Sequence, residues 1–189
     1  MQVNALVSMG ETYLRLGHHD RARSCCLRGL ALAAGPDVDR TLRAESLNDL
    51  AAVHLGMRDF RQALTYSEQA LDLAAQIGGQ MHVLALTGHG LVCQSLGAHR
   101  LAHEQHTRAL HLARAFNHRK GEACAWNALG ELCLLAGAPA QAVEHHRHAL
   151  ELLPGDSPEQ ARALNGIVQA RQASGPGRSG RRLARQARV

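Results

Sequence analysis

The sequence predicts an all-α fold, a solenoid of about four helix-turn-helix units closed by a C-terminal helix. Three observations predict it. Leu and Ala carry the apolar content, which is 46% of the 189 residues, and both favour helix. Aromatic residues make up only 3% of the chain, too few for a β-sandwich or barrel, which draws on aromatic and β-branched side chains. A pattern of small residues recurs four times at a period of about forty residues, the signature of a repeat array. With only 20% charged residues the chain is also too apolar to be disordered over most of its length.

The repeated pattern places a small residue, then Ala twelve positions on, then another small residue seven positions further. It reads Gly10, Ala22 and Gly29 in the first unit, and Ala51, Ala63 and Ala70 in the second. The third has Gly90, Ala102 and Ala109, and the fourth Gly130, Ala142 and Ala149. A Leu follows the last small residue each time: Leu30, Leu71, Leu110 and Leu150. Two antiparallel helices approach closely only where side chains are small, so these positions are the predicted helix crossings. Bulkier residues fill the space beside them: Leu6, Leu47, Leu86 and Trp126 on the first helices, Cys26, Ser67, His106 and His146 on the second.

Turn signals separate the helices of a unit at Leu16-Gly17, Arg58-Asp59, Leu96-Gly97 and Ala136-Gly137-Ala138-Pro139. Breaks between units are expected at Gly35-Pro36-Asp37, Gly78-Gly79, Asn117-His118 and the run from Pro154 to Pro158. The solenoid therefore spans 1–174, with units over about 3–35, 38–77, 80–117 and 119–154. A capping helix over 158–174 opens on Ser157-Pro158-Glu159-Gln160, where Ser can cap and Pro suits the first turn. A solenoid needs such a cover at its end. No equivalent precedes the first unit, which implies either a piece of a longer protein or an end covered by a partner or by a second copy.

These units resemble tetratricopeptide repeats. The small-residue sites match at every unit from about residue 3 to 153, Trp126 matches the family's first bulky site, and Pro154 matches its terminal Pro. The period of about forty exceeds the commonest form of about 34. In this it is similar to the long-repeat branch of kinesin light chains and to the C-terminal repeat regions of bacterial signalling ATPases and antibiotic regulatory proteins. Ala109 to Arg114 and Glu144 to Leu150 are particularly like the latter.

The resemblance implies a right-handed superhelical solenoid whose inner wall is made by the first helix of each unit. In the family's register, Asn4, Val7, Ser8, Glu11 and Arg15 face inward in the first unit, and Glu45, Asn48, Asp49, Ala52 and Leu55 in the second. Leu84, Thr87, Gly88, Leu91 and Gln94 follow in the third, then Cys124, Asn127, Ala128, Glu131 and Leu134 in the fourth. Of these, Asn4, Glu11, Arg15, Glu45, Asn48, Thr87, Leu91, Gln94, Asn127 and Glu131 are the expected partner contacts. Asn48 and Asn127 share one register, where an amide can donate to and accept from a peptide backbone at once. Chaperone-binding members hold a C-terminal carboxylate with Lys, Arg and Asn. Here those places hold Val7, Glu11, Asp49, Leu84 and Gly88, which argues against such a ligand and suits a segment with apolar and Arg side chains.

The remaining features point away from catalysis. The net charge of +5 comes from Arg178, Arg181, Arg182, Arg185 and Arg188 in the tail 175–189, read as disordered, so the rest is neutral. That tail carries the alternative reading, a regulator that touches nucleic acid by charge. Thirteen His invite a metal site at His99, His103 and His106 or at Glu144, His145 and His148, but His103-Glu104-Gln105-His106 is one residue short of HExxH. His106 and His146 fall on the packing register instead. Five Cys without a CxxC pair suggest reduced, buried side chains. No cofactor, metal or catalytic group is expected. The start from Met1 to Leu6 lacks a secretory n-region, so the expected setting is the bacterial cytoplasm, without a membrane. The expected role is a non-catalytic protein- or peptide-binding scaffold or sensor, as in the repeat part of a transcriptional regulator.

Overall fold

The computed structural model describes residues 2–33, 39–153, 155 and 157–174. Among them are nine helices and no strand: α1 (Gln2–Arg15), α2 (His19–Leu32), α3 (Arg40–Gly56), α4 (Phe60–Ile77), α5 (Gly79–Ser95), α6 (His99–Ala115), α7 (Arg119–Leu135), α8 (Pro139–Leu152) and α9 (Pro158–Ser174). They fall into two bodies, an N-terminal one of α1 to α6 within residues 1–116 and a C-terminal one of α7 to α9 within 117–189. The expected break at Gly35-Pro36-Asp37, Pro154, and the tail 175–189 with its nucleic-acid reading lie outside the described residues.

Local chemistry sets the helix ends. The Asp39 carboxylate accepts from Thr41 N at 2.9 Å and starts α3, and Asp59 accepts from Gln62 N at 3.3 Å to start α4. Pro139 opens α8, and Ser157 Oγ accepts from Gln160 N at 3.2 Å at the head of α9, the cap its sequence predicts. Within each helix pair the turn needs one left-handed residue. Gly17, Gly97 and Gly137 supply it with φ of 75°, 77° and 73°. Arg58 takes the same role at φ 62° without glycine's freedom. Between α4 and α5 the break is tighter than the Gly78-Gly79 pair suggests, because Gly79 already begins α5.

The small residues lie at the crossings. A Cβ at Gly10 would come within 2.7 Å of Cys26 Sγ, one at Gly90 would overlap the His106 ring, and one at Gly130 would come within 2.7 Å of His146 Nε2. The partner sits sixteen positions on in every case, so the register read from the sequence is the packing register. Ala22, Ala63, Ala102 and Ala142 are wholly buried. In the N-terminal body α3 packs against α2, α4, α1 and α5, and a core of Ala44, Ala74, Met81 and Ala85 gathers Leu71, Leu73 and Ile77 around it. In the C-terminal body α9 packs against both α7 and α8 over Ala123, Ala149 and Ala163, with Trp126 and Leu150 beside them. The Trp126 ring stacks on His145 and His148, with centroids 5.1 and 4.8 Å away.

Candidate partner-binding wall

Within the N-terminal body, the predicted wall is carried by α1, α3 and α5. Asn4, Ser8, Glu11 and Arg15 are exposed along α1, with Arg15 Nη2 3.8 Å from Glu11 Oε1. Glu45, Asn48 and Asp49 follow, half-buried, on α3. Burial, then the charges of Glu11 and Glu45, push the Asp49 carboxyl up to about 7. Glu45 is raised in turn by burial, Asp39 and Glu11. Among the described residues no ion pair joins Asp49 or Glu45 to a basic group. Asp49 also helps to keep the neighbouring Cys26 thiol protonated, which burial chiefly pushes up to about 12, so Cys26 is an inert packing residue.

The α5 part of the wall is more closed. Asn48 leans onto α5 where only glycine fits, since a Cβ at Gly88 would overlap Asn48 Oδ1, and that oxygen is buried without a hydrogen-bond partner. Leu91 and Gln94 are half-buried and Leu84 is exposed. Thr87 corrects the expectation: it is buried, and its hydroxyl donates to Val83 O at 2.9 Å, so it faces α5's own packing.

In the C-terminal body, α9 lies against the wall residues of α7. Arg162 Nε and Nη2 donate to the two carboxylate oxygens of Glu131 at 2.6 and 2.7 Å, a bidentate pair. Burial works against the Arg162 charge, but the hydrogen bonds and charge of Glu131 outweigh it and hold the guanidinium more firmly protonated. Asn127 is the second correction. It is wholly buried, its Nδ2 donates to Glu159 O at 2.8 Å, and its Oδ1 accepts from His146 Nδ1 at 2.9 Å. Both amide groups are used inside this body, so the side chain offers nothing to a ligand while α9 is docked. Because the Asn127 amide is oriented by Glu159, the proton on His146 is at Nδ1, and the bare Nε2 is buried without a partner against Gly130 and Gly166. Sequence reasoning missed Arg162 and Glu159, whose roles depend on where α9 lands.

Among the described residues no group of three His, Cys, Asp or Glu is placed to hold a metal ion, and no helix is long and apolar enough to cross a membrane. The His clusters on α6 and α8 divide instead: His106 and His146 are buried, while His99, His103 and His148 are exposed.

The packing register, the paired helices and the small residues at each crossing meet the tetratricopeptide repeat model, which matches residues 2–76 and 42–115. The chain belongs to the tetratricopeptide repeat family. Among solved structures it is similar to BtubC (BKLC) from P. vanneervenii, at 17% identity over 98% of this chain and 81% of that one, with a TM-score of 0.68. It is also similar to nearly identical TPR-like repeats of a Podosopora anserina protein named for kinesin light chain, at 16% identity, 98% and 93% coverage, and a TM-score of 0.67. A third is the MamA protein, at 23% identity, 79% and 72% coverage, and a TM-score of 0.52. At these identities the likeness is one of fold, the all-α repeat solenoid of the kinesin-light-chain type. No curated protein matches the sequence. Tetratricopeptide repeats generally serve as protein-interaction scaffolds rather than as catalysts.

Proposed function

We propose that this tetratricopeptide repeat chain is a non-catalytic interaction module whose α1 and α3 wall receives a protein segment through an arginine side chain. The observation that carries the reading is the unequal treatment of one repeat position. Glu131 of α7 is met by the Arg162 fork, whereas Glu11, at the same place in the repeat, has only the exposed Arg15 of its own helix at 3.8 Å and adds its charge to those of Glu45 and Asp49. A guanidinium delivered from outside would meet carboxylate acceptors on Glu11, Glu45 and Asp49, the kind of group with which Arg162 pairs on α7, together with the exposed side chain of Leu84 for an apolar neighbour. Asn4, Glu11, Glu45 and Asn48 are the contact residues in this reading, with Asp49 added. Arg15 sits at the rim, and Leu91 and Gln94 at its α5 side.

Selecting a random peptide library against the wild-type chain and against the Glu45→Gln, Asp49→Asn double variant tests this. Arginine-bearing peptides should be enriched on the wild type and lost on the variant. Equal enrichment of the same peptides on both would remove the wall from the site.

A further inference from the structure

The repeat register allows each face of α1 to be compared with the same face of later first helices. Ala5, Met9 and Thr12 correspond to Ser46, Leu50 and Val53 of α3, to Ala85, His89 and Val92 of α5, and to Ala125, Leu129 and Leu132 of α7. Every one of those nine later residues is buried, while all three on α1 are exposed. Met9 has 47% of its surface open, against 0% for Leu50, 6% for His89 and 5% for Leu129. In the N-terminal body the helix that precedes each first helix covers this face. Gly29 of α2 lies against Ser46 of α3, and Ser67 Oγ of α4 is 3.0 Å from His89 Nδ1 of α5. The face of α1 is therefore built to take a repeat helix. It also holds a depression of about 300 Å³ lined by Ser8, Met9, Thr12 and Tyr13.

Among the described residues α9 leaves a second apolar face uncovered. Helix α9 packs through Ala163, Gly166, Ile167 and Ala170 against α7 and α8, but beside that buried stripe Leu164 and Val168, one turn apart, are 56% and 51% exposed. A helix that served only to cap the repeats would present a polar outer side. Two branched apolar side chains at this spacing protrude, and the depression on α1 recedes.

We propose that the chain associates with a second copy of itself head to tail, with the Leu164 and Val168 face of α9 in one copy seated on the Ala5, Met9 and Thr12 face of α1 in the next. In that contact α9 stands where the preceding helix stands over α3 and α5. The two faces differ, so the contact is heterologous, and each added copy uses one face to attach and presents the other to the next.

Sedimentation of the wild-type chain over a range of concentrations should show an average mass that climbs without settling at a dimer. Met9→Glu and Leu164→Glu each remove one face, so each variant alone should stay monomeric, with helicity and thermal midpoint checked against the wild type. Mixed in equal amounts, they should form a one-to-one dimer and nothing larger, because one intact face remains on each. If either variant loses its fold, Thr12→Arg and Val168→Glu replace them, both at exposed positions. A wild type that is monomeric throughout, or a wild-type dimer that the mixture fails to form, overturns the proposal. The second result would mean that like faces meet like.

Discussion

Glu11 on α1 and Glu131 on α7 occupy one position of the repeat, and the two bodies treat them oppositely. Around Glu131 the next first helix, α9, brings the cation Arg162, so the carboxylate is a structural clamp. Around Glu11 the next first helix, α3, brings Glu45 and Asp49, so charge accumulates and one carboxyl is held part-protonated near neutrality. The difference teaches that a repeat position has no fixed role. What the neighbouring helix supplies decides whether the position stabilises the stack or waits for something outside it.

The largest effect expected from breaking this contrast is at the clamp. Arg162→Met should cost the C-terminal body about 2–3 kcal/mol, because it leaves the half-buried Glu131 charge without its hydrogen bonds. Hydrogen exchange in α9 should report the loss. Arg15→Met, which removes only an exposed pair at 3.8 Å, should leave the thermal midpoint unchanged.

The two bodies should also answer pH in opposite directions. Asp49 has its carboxyl raised in the fold from 3.8 to about 7, so its contribution is full below about pH 4 and is lost as pH rises through about 7. His146 is lowered from 6.5, by burial first, with Arg162 and His145 adding to it and Glu131 opposing. Its neutral ring is therefore fully stabilising above pH 6.5, and stability falls as pH drops below that value toward the folded-state one. Protection factors, which divide out the intrinsic pH dependence of exchange, followed separately in α3 and in α9 between pH 4 and 6.5 (roughly the range where both groups change,) should move in opposite senses. Asp49→Asn should flatten only the α3 response and raise stability at pH 8 by on the order of 1 kcal/mol.

The smallest effect sharpens the comparison at a turn. Arg58 holds a left-handed conformation that glycine holds in the other three hairpins, so Arg58→Gly should stabilise the N-terminal body by about 0.5–1 kcal/mol. Chemical denaturation would show it as a higher midpoint with an unchanged slope.

The crossings were legible because steric exclusion acts at a fixed offset. Gly10 with Cys26, Gly90 with His106 and Gly130 with His146 all follow from one repeat and need no knowledge of what lies outside it. The wall was only half legible. Glu11 and Glu45 could be placed on it from the register, but their mutual strain with Asp49 arises between helices, and nothing local in the sequence marks it. Asn127 and Asn48 look identical in the repeat, yet α9 and His146 take up both ends of one amide while Gly88 merely makes room for the other. Thr87, in the same register as Asn127, is buried as Asn127 is, and a carbonyl four residues back on its own helix satisfies its hydroxyl there.

The small side of each crossing in this molecule is a methyl group or a bare α-carbon, which leaves little there to trim. Where a leucine-filled interior can absorb a shortened side chain at the cost of a void, Ala22, Ala63, Ala102 and Ala142 admit change almost solely by enlargement, and enlargement drives the rods apart. Tolerance to substitution should thus be lopsided, with drift in this chain accumulating in its outer residues while the points of closest approach stay fixed.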